Sequence, residues 1–404
     1  MSRLAILVSN PCTADARVIK VARTAAEAGY EVHVFATLGN GAPAYEEVGK
    51  VLYHRLEWRP SNLLPTTQPM AWIRKFAKKL YAALFSLLLP YRKYALFRRV
   101  FAEPVAAVEP DIVYANDLIC LPAGHRAAVL CRARLVYDAH ELEVHRNPPL
   151  PFLQKRYVAH IEKKYARRAD VVVTVGELVA AELGAHIKRD AIEVIYNSPA
   201  LSPCARSIRE DLRLAEDTPL IVYVGKVTVG RGVGDLIASL PQMPGISFAA
   251  VGPCDSKTFE VLTAQAHRLG VSHRLRLLPP VPSDQVVSYI RGADLGVISV
   301  EPVTLSYRYC MPNKLFEMSF ANVPVFSNNL DDIARFLNEF SNGRIFNFED
   351  KYALPHAMVE MIRNKDVYVM SDATLMRLHA KYSLNTQQAK LLSILAALVK
   401  PKQN

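Results

Sequence analysis

Short apolar runs alternate along this chain with longer segments whose apolar residues recur at helical spacing. That alternation predicts β-strands separated by α-helices, and hence a parallel α/β sheet. The opening reads strand (4–9), turn-rich loop (11–15), amphipathic helix (16–28), a stop at Gly29 and a second strand (31–37). Further strands are predicted over 111–115, 133–137, 169–175 and 191–196. The pattern then restarts: strand 220–224, a glycine-bearing loop over 225–234, a helix from 235, and strands over 246–251, 275–278, 295–300 and 324–327. An amphipathic segment over 385–398 closes the chain and is expected to pack back onto the body.

Two rounds of the same alternation predict two tandem Rossmann-like, doubly wound α/β domains, over 1–200 and 201–384, with 385–404 as the returning helix. The length of 404 residues suits two domains. The segment 199–217, with charged clusters and prolines, is the expected hinge. In such folds ligands sit outside the carboxyl ends of the strands, so a cleft between the two sheets is the expected site.

Composition narrows the function. The chain is 51% hydrophobic and 22% charged, which excludes a disordered chain. A formal net charge of +11 points to anionic partners. Six scattered cysteines form no C-x-x-C pair and read as buried thiols of a reducing compartment. The first residues enter a strand without a secretory leader, and the longest apolar run, 80–89, is too short to span a bilayer. A cytoplasmic protein is expected. One insertion, 69–100, departs from the pattern: over 71–100 it is rich in Lys and Arg, lacks acidic residues and interleaves aromatic and aliphatic side chains. A basic amphipathic segment of this kind suits an anionic membrane surface, and the alternative is a helix packed into the core with a solvated basic face. Its aliphatic run is a poor base-stacking surface, so no nucleic acid is expected.

Five segments carry candidate chemistry. Gly225-Lys226-Val227-Thr228-Val229-Gly230-Arg231-Gly232 lies between a predicted strand and helix, where Lys226 and Arg231 can converge on a diphosphate. Pro312-Asn313-Lys314-Leu315-Phe316-Glu317 runs from a loop into a helix, joining a cation to a carboxylate near a helix start. Tyr137-Asp138-Ala139-His140-Glu141 ends a strand, as does Asn116-Asp117, and both present polar groups at a sheet's carboxyl edge. Asp15 and Arg17 follow the first loop, where Asp15 can alternatively cap the helix. Zinc spacings, a Walker A sequence, a G-x-S-x-G elbow and a D-x-D pair are all missing from the sequence, so neither a metal nor a cofactor is expected.

With Asp15-Ala16-Arg17-Val18, Tyr137 to Glu141, Tyr196-Asn197, Gly225 to Gly232 and Pro312 to Glu317 in view, the chain resembles the family 4 retaining glycosyltransferases of GT-B fold. The resemblance implies that Lys226 and Arg231 bind the donor diphosphate, in swapped order relative to the usual Arg then Lys. It implies that Glu317 binds the donor ribose and that His140 lies near the transferred sugar. Gly225, Asn197, Asn313, Lys314 and Leu315 complete the expected donor set, while Asp15, Arg17, Asn116, Asp138 and Glu141 form the expected acceptor side. Tyr309 stands where the family carries a first glutamate, and Cys310-Met311-Pro312-Asn313-Lys314 replaces its Gly-Phe-Gly run.

The expected activity is retaining, metal-independent transfer of a sugar from a nucleoside-diphosphate sugar to a lipid-linked or polysaccharide acceptor in cell-envelope glycan synthesis, such as lipopolysaccharide. The expected place is the cytoplasmic face of the inner membrane, held peripherally through 71–100. The alternatives are a nucleotide-sugar epimerase of the same fold and a non-catalytic, sugar-nucleotide-binding scaffold subunit.

Overall fold

The computed structural model describes residues 1–58, 91–228 and 231–399. It divides into two compact units, one formed by Met1–Ile195 with Gln388–Asn404 and the other by Tyr196–Gln387. The chain therefore passes between units at residues 195–196 and 387–388, and the expected hinge over 199–217 lies wholly inside the second unit.

The first unit is built on β1 (Arg3–Leu7), β2 (Glu31–Thr37), β3 (Tyr45–Val48), β4 (Val51–Leu56), β5 (Ile112–Asn116), β6 (Arg134–Ala139), β7 (Val171–Thr174) and β8 (Glu193–Val194). Their spatial order is β3-β4-β2-β1-β5-β6-β7-β8. All pairs are parallel except β3–β4, an antiparallel hairpin at the edge. That hairpin escapes the apolar pattern because Arg55 occupies an inward position, buried beside Val51 and Tyr53. Its guanidinium is satisfied by the carbonyls of Pro11 and Pro43 and by Glu46. A buried cation so paired reads in sequence as a surface residue. The core gathers Leu4, Ile6, Val18, Val34, Tyr114 and Val136, together with Leu391 and Leu395 of the returning helix Leu384–Leu398.

Residues 91–107 are helical. They include the described end of the basic insertion; residues 59–90, which carry most of it, lie outside the described residues. Within 91–100 the aromatic face is turned inward: Tyr94 and Phe97 are buried, and Phe97 stacks on Phe101 at 4.1 Å. This part of the expected membrane-facing stripe is core, while Arg92, Arg98 and Arg99 are exposed.

The second unit carries β9 (Leu220–Val224), β10 (Ser247–Val251), β11 (Leu275–Leu278), β12 (Leu295–Ile298), β13 (Val325–Ser327) and β14 (Gly343–Ile345), ordered β11-β10-β9-β12-β13-β14 and all parallel. Its core is centred on Tyr223, Phe248, Val297 and Phe326. Both sheets reverse direction once: between β1 and β5 in the first, and between β9 and β12 in the second. Loops leaving those paired strands diverge and open a crevice at the carboxyl edge. The candidate residues gather at these two points.

Candidate functional site

In the second unit the loop after β9 begins at Gly225, whose φ of +118° only glycine adopts readily. Opposite it, Gly252 has φ +150°, and a Cβ there would stand 2.1 Å from the Gly225 carbonyl oxygen. The backbones after β9 and β10 are thus in direct contact, tied by Gly225 N–H to Val251 O at 2.9 Å and Val227 N–H to Pro253 O at 3.0 Å. Gly252→Ala is expected to destabilise the protein by more than about 1 kcal/mol, because backbone rather than a side-chain tip must move. A melting temperature equal to wild type would reject this packing.

Across the reversal point, Ser299 Oγ, just after β12, donates to the Arg231 carbonyl at 2.6 Å. Gly232 lies against the same serine. The loop is therefore pinned from both sides, and Lys226 and Arg231 extend from it as exposed side chains.

The third cation is Lys314, on the helix Asn313–Phe320 that starts behind Pro312. Lys314 is buried, and its Nζ stacks over the Tyr223 ring at 3.9 Å from the centroid. The same group lies beside Gly225. Burial, with repulsion from Arg231, pulls the Lys314 ammonium down to about 7, while Glu317 works in the opposite direction. Tyr223 is the residue that organises this cluster. Its hydroxyl donates to the Lys226 carbonyl at 3.1 Å, its ring receives Lys314, and Arg231 acts on its hydroxyl. A tyrosine inside an apolar strand carries no sequence signal of such a role.

The remaining expected donor residues divide. Asn197 Nδ2 donates to Asn313 Oδ1 at 2.7 Å, and Asn197 Oδ1 is buried without a hydrogen-bond partner. Glu317 is buried one turn along the helix from Asn313. Leu315 does not serve as expected: its side chain is fully buried and its N–H is given to Pro312 O at 3.0 Å. Tyr309 ends the short helix Leu305–Arg308, and Glu301 is exposed in the loop before it.

In the first unit a different assembly forms at the carboxyl edge of β1, β5 and β6. Asp138 is fully buried and takes Arg17 Nε at 2.9 Å, Arg17 Nη2 at 2.7 Å and the Tyr114 hydroxyl at 2.8 Å. Arg17 also donates to Ile195 O at 2.8 Å. Burial would raise the Asp138 carboxyl, but Arg17 and His140 outweigh it and hold it well below the usual carboxylate range. His140 lies between two carboxylates, with Nδ1 3.4 Å from Asp117 Oδ1 and Nε2 3.5 Å from Asp138 Oδ2. Burial lowers its pKa, and the two carboxylates overcome that effect and raise it. Nε2 is buried and makes no hydrogen bond.

These contacts revise the expected acceptor side. Asp138 and Arg17 are enclosed, and Asp138 stands beside His140. Asn116 is fully buried and spends its Nδ2 on Leu7 O at 2.9 Å, tying β5 to β1. Asp15 is an N-cap, accepting from Val18 N–H at 3.2 Å and held by Asn10 Nδ2 at 2.8 Å. Glu141 is half-buried, and burial raises its carboxyl. Asp117 takes the place expected of Asn116: it faces His140 from a left-handed backbone, φ +58°, which is costly for aspartate and marks a constrained position.

The profile of Glycosyltransferase Family 4 matches residues 15–198, and that of Glycosyl transferases group 1 matches 218–364. Each unit thus carries a match to a glycosyltransferase family, and the chain is a glycosyltransferase. Both assemblies fall inside the matched regions of this glycosyltransferase. It is 23% identical over 287 residues, 67% of its length, to an uncharacterized glycosyltransferase of Methanocaldococcus jannaschii. The match spans 66% of that relative, and about half the length of the further curated relatives. Among solved structures, a sucrose-phosphate synthase of Thermosynechococcus elongatus superposes with a TM-score of 0.73 at 16% identity, covering 98% of this chain and 99% of that one. The Anabaena protein HepE, solved with UDP-glucose, gives 0.69 at 15% identity, covering 98% and 100%. Both share the GT-B fold of this glycosyltransferase, two Rossmann-like parallel-sheet units. Among the described residues no helix is long and apolar enough to cross a membrane.

Proposed function

We propose that this glycosyltransferase takes its sugar from a nucleoside-diphosphate sugar and transfers it with retention of configuration, without a metal ion. The observation that carries this reading is the buried Lys314 stacked on Tyr223 with Arg231 acting on both, beside the loop that carries Lys226, at the reversal point of the second sheet. Burial and Arg231 draw the buried Lys314 ammonium down to about 7, and Glu317 offsets them only in part, which leaves room for a further counter-charge. A diphosphate supplies it. The family resemblance and the UDP-glucose held by the Anabaena protein support the same ligand class. Glu317 and Asn197 are the groups for the ribose and sugar hydroxyls.

In this reading the bond between the anomeric carbon and the diphosphate oxygen breaks as the acceptor oxygen bonds to the same face of that carbon. The acceptor proton passes to the departing diphosphate. Lys226 and Arg231 stabilise the charge that builds on the leaving group. His140, oriented by Asp117 and Asp138, is the first unit's contact to the transferred sugar. The acceptor is a lipid-linked or polysaccharide glycan of the cell envelope, met at the cytoplasmic membrane surface.

A panel of nucleoside diphosphates and their sugars tests the donor. The cognate diphosphate at about 100 times its Kd should stabilise the protein by about 2.7 kcal/mol, and the nucleosides alone should not. Binding at pH 8 should also take up a proton, because the diphosphate restores the charge on Lys314, whose free value is about 7. Calorimetry in buffers of different ionisation enthalpy reads that proton. No stabilisation by any diphosphate would end the proposal.

A further inference from the structure

We propose that the first unit carries a second anion site, separate from the assembly around His140, which takes a phosphate ester group in a cavity lined by Arg98, His125, Arg126, Lys164, Tyr165 and Arg168. The cavity measures about 220 Å³. That is below the ~300 Å³ at which sites for drug-sized ligands begin, so it suits a phosphate or a small headgroup rather than a whole nucleotide sugar.

Three helices supply the charges: residues 91–107 give Arg98, Asp117–Cys131 gives His125 and Arg126, and Phe152–Ala166 with the residues after it gives Lys164 and Arg168. No acidic side chain lines the cavity, and none of the four Arg and Lys residues makes an ion pair among the described residues. Segment 59–90 contains neither Asp nor Glu, so it holds no acidic side chain to neutralise them. Favourable interaction with the carboxyl end of a helix accounts for Lys164 and Arg168. It does not account for Arg98 and Arg126, which come from two other helices.

Two aromatic side chains line the cavity among these cations. The His125 ring meets Tyr165 edge-on at 5.4 Å, and Lys164 Nζ lies 5.3 Å from the same tyrosine ring. His125 is half-buried, and burial together with Arg168, Lys164 and Arg98 lowers its pKa. Three cations acting on one imidazole place uncompensated positive charge at a single point, which is what a multiply charged anion neutralises best. The place is also distinct from the sugar-transfer assembly. His125 lies eight residues along the helix that Asp117 begins, or about 12 Å at 1.5 Å per residue. Phosphate esters reach such a site either as free metabolites or as lipid headgroups. Val129, 57% exposed at the cavity edge, gives an acyl chain a neighbour that a free ester would not need.

The site is tested on the full chain through the ring-proton titration of His125, identified by its loss in His125→Gln. Saturating inorganic phosphate should raise the His125 pKa, and Arg126→Ala/Arg168→Ala should need about tenfold more phosphate for the same shift. Arg98→Ala, on a third helix, should act in the same direction. UDP binding should be unchanged in all three variants, which separates a failure here from a failure of the donor assignment. Flotation with phosphatidylglycerol vesicles against phosphatidylcholine identifies the source. Anionic vesicle binding that falls in the variants assigns the site to a lipid headgroup, and a phosphate response without vesicle binding assigns it to a free ester. A His125 titration indifferent to phosphate, or equally responsive in the variants, overturns the site.

Discussion

Arg17→Ala is expected to remove about 3–5 kcal/mol of stability from the first unit, because it leaves Asp138 buried without its cation. The magnitude follows from enclosure. Asp138 is fully buried, Arg17 is 7% exposed, and the pair is joined by two hydrogen bonds of 2.9 and 2.7 Å. Tyr114 and His140 remain, yet neither carries a fixed charge. Urea denaturation read by hydrogen exchange in β1, β5 and β6 gives the number, and a loss below about 1 kcal/mol would show the pair to be dispensable. The ion pair also sets an acid limit. The Asp138 carboxyl is held below its unfolded value of about 3.9, so its contribution is complete above that pH and drains away as pH falls toward the folded value. The wild type should lose stability over that acid range more steeply than Arg17→Ala.

The second large effect is on turnover. Lys226→Ala should lower kcat by about 10²–10³ with little change in melting temperature, because the side chain is exposed and its proposed role is to stabilise departing charge. Glu317→Ala should instead raise KM for the donor, since the ribose contact proposed for it would be made equally in the ground and transition states. Wild-type kinetics in both variants would remove the donor site from this loop and helix. Single-turnover assays on a glycan acceptor panel distinguish a slow enzyme from a subunit that binds donor and never transfers it.

Much of the second unit's site is readable from local spacing. A glycine-bearing loop after an apolar strand marks Lys226 and Arg231, and a Pro-Asn-Lys turn into a helix marks Lys314, while the fold brings Lys314 onto Tyr223 beside that loop. Tyr223 is not readable in this way. Its hydroxyl and ring do the organising, yet in sequence it is one more apolar residue of β9. The first unit is less legible because its key contact is non-local: Arg17 and Asp138 are 121 residues apart and meet only when β1, β5 and β6 pair. The same folding hides Asn116 and turns Asp117 outward through a left-handed backbone. Strand alternation was enough to indicate two doubly wound sheets. It could not reveal the β3–β4 hairpin, where a paired arginine stands in an inward position.

The returning helix has a consequence for how the molecule is made. Leu391 and Leu395 complete the core of a unit whose other residues end at Ile195, and Gln388 Nε2 donates to Thr24 Oγ1 at 2.9 Å. During synthesis, then, the part that is translated first cannot finish folding first. It must wait, with an apolar groove uncovered, while the ribosome makes all of Tyr196–Gln387. The nascent first unit is the stage at which a chaperone has something to hold.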